Sequence, residues 1–246
     1  APRGVIKGLK NILGNQTLGY TDAFGIRELR NKISEHYSDW YGQTVDPSNI
    51  LVTTGSSGGF VLSFLAAFDA GDRVALACPG YPAYRNILAA LGIQVVDIPV
   101  DKETNFQPTS VMLDSLQSST GMLLDGLVIA SPSNPTGTML KTEHLHDLSL
   151  YCEKHGIRLI SDEIYHGITY DLPAQTALAF SSQSIVVNSF SKYFSMTGWR
   201  LGWLVVPEDL LRAVECLAQN LFISPPTVSQ IAAMAVFDCH DELQAN

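Results

Sequence analysis

Blocks of apolar residues alternate with segments of mixed polarity along the chain, and this order predicts an α/β protein. The apolar blocks are short and rich in valine and isoleucine, which is typical of strands buried on both faces of a mainly parallel sheet. They lie at residues 50–53, 73–77, 94–98, 126–130, 157–161 and 185–188, with a further strand at 202–207.

Helical periodicity marks the segments between the strands. Residues 24–41 place Ile26, Leu29, Ile33 and Tyr37 on one stripe at steps of three and four, as in a helix with one buried face. Helices are also predicted over 58–68, 84–91, 141–155 and 208–221, with one more after the break at 224–226. Strand and helix alternation of this kind predicts a doubly wound α/β domain.

Composition and charge exclude several classes of protein. The 246 residues are 46% hydrophobic and 16% charged, as in an ordinary globular domain. Fifteen basic against twenty-four acidic residues give a net charge of −9, whereas nucleic acids and anionic membranes attract a basic surface. The apolar runs are too short to span a bilayer, and the N-terminus shows no apolar signal core. We therefore expect a cytoplasmic protein that binds neither nucleic acid nor membrane.

The four cysteines indicate neither a metal site nor a disulfide framework. They lie far apart, without a CxxC pair, at Cys78, Cys152, Cys216 and Cys239. Zinc ligands usually come in closely spaced pairs, and disulfide-rich secreted domains have a higher cysteine density. The sequence therefore predicts four buried thiols in a reducing compartment and no bound metal.

The strongest chemical signal follows the strand at 185–188. Lys192 lies there, with Ser189 three residues before it and Arg200 eight residues after it. Three aromatic residues stand close to it in the sequence: Phe190, Tyr193 and Phe194. Desolvation among them would lower the pKa of the amine and make it a candidate Schiff-base nucleophile. A hydroxyl and a guanidinium beside that lysine suit a phosphate-bearing cofactor, although an ordinary surface lysine fits the same pattern.

Polar groups follow four other predicted strands. Glycines and serines at 53–59 open a helix, where backbone N–H groups attract phosphate, but they form neither a Walker loop nor a GxGxxG motif. Asn134 lies in a proline-containing turn, and Asp162 ends a strand in which a carboxylate is costly to bury without a cation. Tyr81 offers an aromatic face to a flat ligand. Each group alone fits a plain turn, but together they predict one site at one edge of the sheet.

This set of motifs resembles the class I/II aminotransferases, the fold-type I enzymes that depend on pyridoxal 5′-phosphate (PLP). The resemblance extends over nearly the whole chain and is carried by residues 20–25, 55–57, 79–82, 134–137, 162–165, and 189, 192 and 200. It implies a three-layer α/β/α fold with a mainly parallel central sheet, which is the PLP-binding large domain of such an enzyme, over residues 1–246.

The resemblance also implies roles for three catalytic residues. Lys192 would form a Schiff base with PLP and shuttle the substrate proton. Asp162 would pair with the pyridinium nitrogen, and Tyr165 would hydrogen-bond the ring oxygen O3′. A buried carboxylate suits the ring nitrogen, because electrons flow into the ring most readily while that nitrogen stays protonated.

Further residues would bind the cofactor by the same resemblance. Asn134 would hydrogen-bond O3′, and Tyr81 would stack on the ring. The phosphate would be held by a helix start, a hydroxyl and a guanidinium, from Gly55, Ser56, Ser57, Ser189 and Arg200. Tyr20 would reach the phosphate of the neighbouring subunit's cofactor, which implies a homodimer.

The chain departs from the family pattern in extent. The N-terminal arm with its substrate-closing glycine loop and the smaller C-terminal domain are not recognisable. In the family, that small domain carries the arginine that binds the substrate α-carboxylate. No arginine of this chain has the matching sequence context. The arginines of the chain are Arg3, Arg27, Arg30, Arg73, Arg85, Arg158, Arg200 and Arg212. We therefore expect a cofactor-binding large domain only.

The expected activity is that of an aminotransferase of amino-acid metabolism, which moves an amino group between an amino acid and a 2-oxo acid in a ping-pong cycle. A PLP-dependent lyase of the cysteine-S-conjugate β-lyase type fits the same cofactor motifs. A PLP-sensing domain of an aminotransferase-like transcription regulator is disfavoured, because it would need a basic winged-helix segment before this domain. The motifs do not indicate which amino acid is the donor.

Overall fold

The computed structural model describes residues 1–13, 17–170 and 172–245. They form two compact units, which we name by their place in the chain. The terminal unit combines Ala1–Leu62 with the described residues from Val187 onward, and the central unit is Ser63–Val186.

In the described residues, strands β1 to β7 are Ile50–Thr53, Arg73–Cys78, Gln94–Pro99, Gly126–Ala130, Arg158–Asp162, Ile185–Ser189 and Gly202–Val205. Helices α1 to α9 are Arg3–Ile12, Arg27–Tyr41, Gly55–Ala67, Pro82–Ala90, Ser110–Thr120, Thr142–His155, Leu211–Leu221, Thr227–Met234 and His240–Gln244.

In the terminal unit the ends of three strands come together. β1 pairs antiparallel with β7, so Thr53 at the end of β1 lies opposite Gly202 at the start of β7. β6 is the other neighbour of β7, and just beyond it the backbone N–H of Phe190 donates to Leu201 O at 3.1 Å. The last residues of β1 and β6 therefore lie beside the first residues of β7.

The core of the terminal unit includes the stripe predicted for the first long helix. Leu29, Ile33 and Tyr37 of α2 are fully buried, whereas Ile26 is the residue just before the helix. The indole N–H of Trp203 donates to the Tyr37 hydroxyl at 3.2 Å. Burial of one such large apolar side chain contributes about 1.5–3 kcal/mol, so this stripe anchors α2 to the strands.

In the central unit four strands lie in the order β5, β4, β2 and β3. The pairs β2–β3, β2–β4 and β4–β5 are all parallel. The carboxyl ends of β2, β4 and β5 therefore meet at one edge, where ligands of such sheets bind. These three pairs of the central unit are parallel, as predicted, whereas β7 of the terminal unit runs antiparallel to β1.

The predicted strands are confirmed to within two residues at each end, but some helices were missed. β1 and β4 have the predicted bounds, while α1 and α5 were not predicted. Only Leu113 of α5 is buried, so its apolar stripe is too thin to show in the pattern. The single helix expected near the end of the chain is wrong, because both α8 and the short α9 follow Pro226.

The expectation of four buried thiols is also wrong. Cys152 is buried, Cys78 is exposed, and Cys216 and Cys239 are intermediate; all four are free cysteines. Separately, no helix in the described part of the chain has both the length and the apolar character that crossing a membrane requires.

Candidate active site

The predicted site residues divide between the two units. The central unit contains Tyr81, Asn134, Asp162 and Tyr165, and the terminal unit contains Tyr20, Gly55, Ser56, Ser57, Ser189, Lys192 and Arg200. In the central unit each of them lies at or just beyond the carboxyl end of a parallel strand, β2, β4 or β5. The strand order therefore explains why side chains from three distant motifs share one edge.

Asp162 is held as a buried hydrogen-bond acceptor in the central unit. It ends β5 and is 4% exposed. Its Oδ2 accepts a hydrogen bond from the Tyr84 hydroxyl, and its Oδ1 accepts one from the backbone N–H of Ile164 at 3.1 Å. Burial, followed by the charge of Asp162, raises the pKa of Tyr84 well above its usual value. Tyr84 therefore remains a hydroxyl donor to this carboxylate.

Sequence reasoning missed Tyr84, although a signal for it existed. Tyr81 is the residue before α4, and its ring meets that of Tyr84 edge-on, with 5.3 Å between ring centroids. Positions three apart share one side of a helix, so a second tyrosine after Tyr81 could have been assigned to the same site. Tyr81 itself is 39% exposed, which leaves part of its ring available to a ligand.

Two pockets of the central unit connect its predicted residues. A pocket of about 230 Å³ is lined by Tyr81, Tyr84 and Asn134 among others. A larger one of about 990 Å³ is lined by Asn134 and Tyr165. Asn134 borders both pockets, so the structure groups Tyr81, Asn134 and Tyr165 around neighbouring spaces, with Asp162 joined to them through Tyr84.

The terminal unit builds a cationic cradle at the start of α3. Gly55 has a positive φ of +75°, and a Cβ there would lie 2.5 Å from Nη2 of Arg200. A Cβ on Gly202 would lie 2.9 Å from the backbone nitrogen of Ser56, so β7 approaches the helix start closely only because it begins with glycine. The first N–H groups of a helix have no partner within it. Together with the guanidinium they form a place suited to an anion.

Ser189 and Lys192 precede Arg200 in the sequence and differ in exposure. Ser189 is buried; its hydroxyl lies 3.1 Å from Leu201 O and accepts from the Ser191 backbone N–H at 3.0 Å. Lys192 is exposed, so the aromatic residues next to it in the sequence do not enclose it. The three neighbouring aromatic residues are buried against one another and Trp203 instead; they are Phe190, Tyr193 and Phe194.

The segment that carries Tyr20 is anchored by α8. Thr227 Oγ1 donates to Gly19 O at 2.6 Å, and the buried Gln230 donates to Thr21 Oγ1 at 3.0 Å. The side chain of Tyr20 itself is 84% exposed. The neighbours of Tyr20 are therefore held in place while Tyr20 itself remains exposed.

The sequence matches the family described as aminotransferase class I and II over residues 2–246. The chain belongs to this family. Class I and II aminotransferases are PLP-dependent, so the cofactor predicted from the sequence is confirmed.

Relatives of this aminotransferase chain are considerably longer than it is. A valine–pyruvate aminotransferase of Mycobacterium tuberculosis is 53% identical over 239 residues, which cover 96% of this chain and 61% of that protein. A (5-formylfuran-3-yl)methyl phosphate transaminase of Methanocaldococcus jannaschii is 35% identical, over 100% of this chain and 63% of that protein. The chain thus spans slightly less than two thirds of these relatives.

Solved aminotransferase structures have the same fold. An aminotransferase from Mycobacterium tuberculosis superposes with a TM-score of 0.95 at 51% identity, over 100% of this chain and 67% of the other. A mutant aspartate aminotransferase of Thermus thermophilus gives a TM-score of 0.92 at 28% identity, over 99% and 67%. These likenesses confirm the predicted fold class. Both of the relatives named above are described as transaminating enzymes.

Proposed function

We propose that the intact protein is a PLP-dependent aminotransferase and that this chain is its cofactor-binding large domain. The observation that carries the proposal is the cradle in which the Arg200 guanidinium lies against Gly55 at the start of α3. A guanidinium and helix-start N–H groups are the donors that a phosphate group prefers. Ser56, Ser57 and the Ser189 hydroxyl would complete this phosphate site.

The central unit supplies groups that suit the ring end of PLP. When bound, PLP supplies an electron-withdrawing pyridinium ring and a reactive aldehyde. Asp162 accepts hydrogen bonds from Tyr84 and from the backbone of Ile164, which hold its carboxylate in place. It would therefore hold the proton on the ring nitrogen. Tyr165 and Asn134, which border one pocket, would donate to O3′, and Tyr81 would pack on the ring face.

Lys192 would act at both ends of the reaction cycle. Its amine would carry the cofactor aldehyde and would then move the proton at the substrate Cα. The exposure of Lys192 supports this role, because an amine that exchanges a cofactor bond for a substrate must be reachable by that substrate. The substrates would be an amino acid and a 2-oxo acid.

The whole protein would act as a cytoplasmic homodimer. The highly exposed Tyr20 on its anchored segment would reach the phosphate bound by the neighbouring subunit. A hydroxyl bonded to a phosphate is a charge-assisted pair, worth about 1.5–3 kcal/mol. Each cofactor would then draw on residues of two chains.

Borohydride trapping of the intact, PLP-loaded protein tests the central role of Lys192. Reduction should leave a PLP adduct on the peptide that contains Lys192, and Lys192→Ala should abolish it. Lys141→Ala is the matched control, because Lys141 is also exposed and should leave the adduct in place. An adduct found instead on Lys7, Lys10, Lys32, Lys102, Lys141 or Lys154 would overturn the assignment.

A donor screen with the intact protein tests the reaction class. Valine with pyruvate is the first pair to assay, because the Mycobacterium tuberculosis relative is named for it. Formation of the 2-oxo acid of the donor together with a new amino acid is expected. Release of a thiol, pyruvate and ammonia from a cysteine conjugate, without amino transfer, would identify a lyase.

A further inference from the structure

A buried pair of titratable side chains lies next to the ring-binding residues and has no role in the function proposed above. Glu163 follows Asp162, and His166 follows Tyr165. Glu163 is 1% exposed and His166 is 5% exposed. Burying two such groups is costly unless hydrogen bonds compensate them, so their contacts show what they hold together.

One oxygen of Glu163 ties the loop after β5 at its base. Oε1 accepts hydrogen bonds from three donors: Ser161 Oγ at 3.1 Å, Thr176 Oγ1 at 3.1 Å and Ala177 N at 2.9 Å. The end of β5 is thereby joined to the start of the short 3₁₀ helix Ala177–Ala179. The other oxygen, Oε2, is buried and accepts no hydrogen bond from the described residues.

His166 connects this loop to the turn after β4. Its Nε2 lies 2.8 Å from the backbone oxygen of Ser131, at the start of the turn that carries Asn134. A carbonyl oxygen only accepts hydrogen bonds, so Nε2 carries the hydrogen and donates it. The loop with Tyr165 and the turn with Asn134 are therefore linked through one imidazole.

The second ring nitrogen of His166, Nδ1, determines how many protons the pair needs. Nδ1 of His166 lies 3.6 Å from Oε2 of Glu163. A neutral imidazole with hydrogen on Nε2 presents a lone pair at Nδ1, which repels an ionised carboxylate. One proton between Nδ1 and Oε2 removes this repulsion. The two atoms then need to approach each other by only about half an ångström to form a hydrogen bond.

The electrostatics of the site place that proton on the acid. Burial raises the pKa of Glu163 to about 7, an effect that the hydrogen bonds from Ala177, Thr176 and Ser161 oppose and the charge of Asp162 increases. Burial lowers the pKa of His166 to about 4, against the opposing effect of its bond to Ser131. Between about pH 4 and pH 7 the pair is therefore a carboxylic acid facing a neutral imidazole.

We propose that Glu163 and His166 share one proton and act as a positioning pair, which keeps Asn134 and Tyr165 at the separation that the cofactor O3′ requires. This inference rests on the function proposed above. The two loops leave adjacent parallel strands, where Ala130 lies opposite Asp162, so slippage between them would move the two donors apart. A neutral Glu163 also adds no second negative charge beside Asp162.

The shared proton is tested first without cofactor or activity. Infrared spectra of the intact, PLP-free protein should show a carboxylic-acid C=O band in the wild type below pH 7. That band should fade as the pH rises through the pKa of Glu163, about 7, and Glu163→Gln should lack it. If the wild type has no carboxylic-acid band, or if its band persists in Glu163→Gln, the one-proton pair is overturned.

The positioning role is tested by two matched pairs of variants in the PLP-loaded protein. Glu163→Gln keeps an acceptor oxygen and directs an N–H toward Nδ1, whereas Glu163→Met does neither. His166→Gln retains a donor for Ser131, whereas His166→Phe does not.

The readout is the pH midpoint of the absorption change of bound PLP. Hydrogen bonds from Asn134 and Tyr165 would stabilise the negative charge on O3′, so that O3′ attracts the proton next to it on the cofactor less strongly. If these two donors are displaced, the pH midpoint should rise.

The expected pattern separates positioning from general loss of stability. Both glutamine variants should keep the wild-type midpoint, while Glu163→Met and His166→Phe should raise it by about one pH unit, the effect of one lost hydrogen bond. Cys152→Ala, on the buried side of α6, should lower the melting temperature and leave the midpoint unchanged. If Glu163→Met does not fold, the His166 pair decides.

The possible failures are distinguishable. Equal midpoints in all folded variants would overturn the positioning role while leaving the proposed function intact. A wild type that binds no PLP would overturn the proposed function and the positioning role with it. The infrared band reports on the proton alone in either case.

Discussion

Tyr84 donates its phenolic hydrogen to Oδ2 of Asp162, and both side chains are buried. The second oxygen of Asp162 accepts the backbone N–H of Ile164. Donors from α4 and from the loop after β5 thus hold one carboxylate in a set orientation. Both bonds stabilise its charged form, which is the form that the proposed pairing with the ring nitrogen needs.

Removing the hydroxyl of Tyr84 should slow the reaction without releasing the cofactor. A charge-assisted hydrogen bond is worth about 1.5–3 kcal/mol, so Tyr84→Phe should reduce the rate of half-transamination about 10- to 100-fold. Single-turnover spectroscopy of the PLP-loaded protein measures this rate. Tyr151→Phe is the control, since that hydroxyl accepts from Gln117 on α5 instead. A wild-type rate in Tyr84→Phe would mean that Asp162 is positioned without it.

Removing the carboxylate itself should have a much larger effect. Asp162→Ala should retain PLP through the phosphate site but lose the proton on the ring nitrogen. Half-transamination should then fall by several orders of magnitude, each factor of ten being about 1.36 kcal/mol. The same single-turnover assay measures it, with PLP content checked after dialysis. Turnover near that of the wild type would refute the role of Asp162.

A methyl group at Gly55 should weaken phosphate binding more than folding. The Cβ of Gly55→Ala would displace the end of the Arg200 side chain, which is flexible enough to move aside. Gly42→Ala is matched in backbone conformation, with a φ of +64° and open space around its Cβ. Both variants should lose about 1–2 kcal/mol of stability from the left-handed backbone. Only Gly55→Ala should lose affinity for PLP in equilibrium titrations; equal affinities would contradict the cradle.

The trans role of Tyr20 predicts complementation between two defective proteins. Tyr20→Phe should weaken PLP binding about 10- to 100-fold, and Lys192→Ala should abolish turnover. A mixed dimer of the two would have one site with both defects and one site with neither, so activity should return on subunit exchange. With exchange proven by mass spectrometry and PLP held at a concentration that saturates the wild type but not Tyr20→Phe, no recovery would show that Tyr20 does not act across the subunits.

The buried pair also predicts how stability depends on pH. Because the folded-state pKa of His166 is lowered to about 4, its neutral form contributes stability above about pH 6.5, and this is lost as the pH falls through about 4. Glu163 has the opposite sign: its raised pKa of about 7 contributes stability at low pH that is lost as the pH rises through about 7. The two contributions offset each other in the wild type.

Glu163→Gln removes the pH-dependent contribution of Glu163 and leaves that of His166. Its free energy of unfolding should fall more steeply than that of the wild type as the pH is lowered from about 6.5 to 4.5. The slope that His166 adds is at most about 1.4 kcal/mol per pH unit. Denaturant titrations of the intact protein at a series of pH values measure both slopes. Parallel slopes would show that the two groups do not titrate as described.

The sequence by itself determined the strands, most of the longer helices and the types of chemistry. Runs of valine and isoleucine marked β1 and β4 with their observed bounds, because a strand buried on both faces tolerates few polar residues. The motifs at the predicted strand ends, including those around Lys192 and Asp162, indicated the cofactor family only as a set, since phosphate and pyridinium groups require particular side chains there. These are local properties, which short spacings along the chain can carry.

Only the tertiary structure decided which side chains meet and which remain exposed. The bond from Tyr84 to Asp162 joins residues 78 positions apart, and the cradle at Gly55 depends on Arg200, which strand pairing brings beside the start of α3. Lys192 is exposed because its aromatic neighbours pack against Trp203 instead of covering it. Periodicity reports that a residue is buried, but packing between distant segments determines against what, and therefore which groups can exchange a proton or hold a charge.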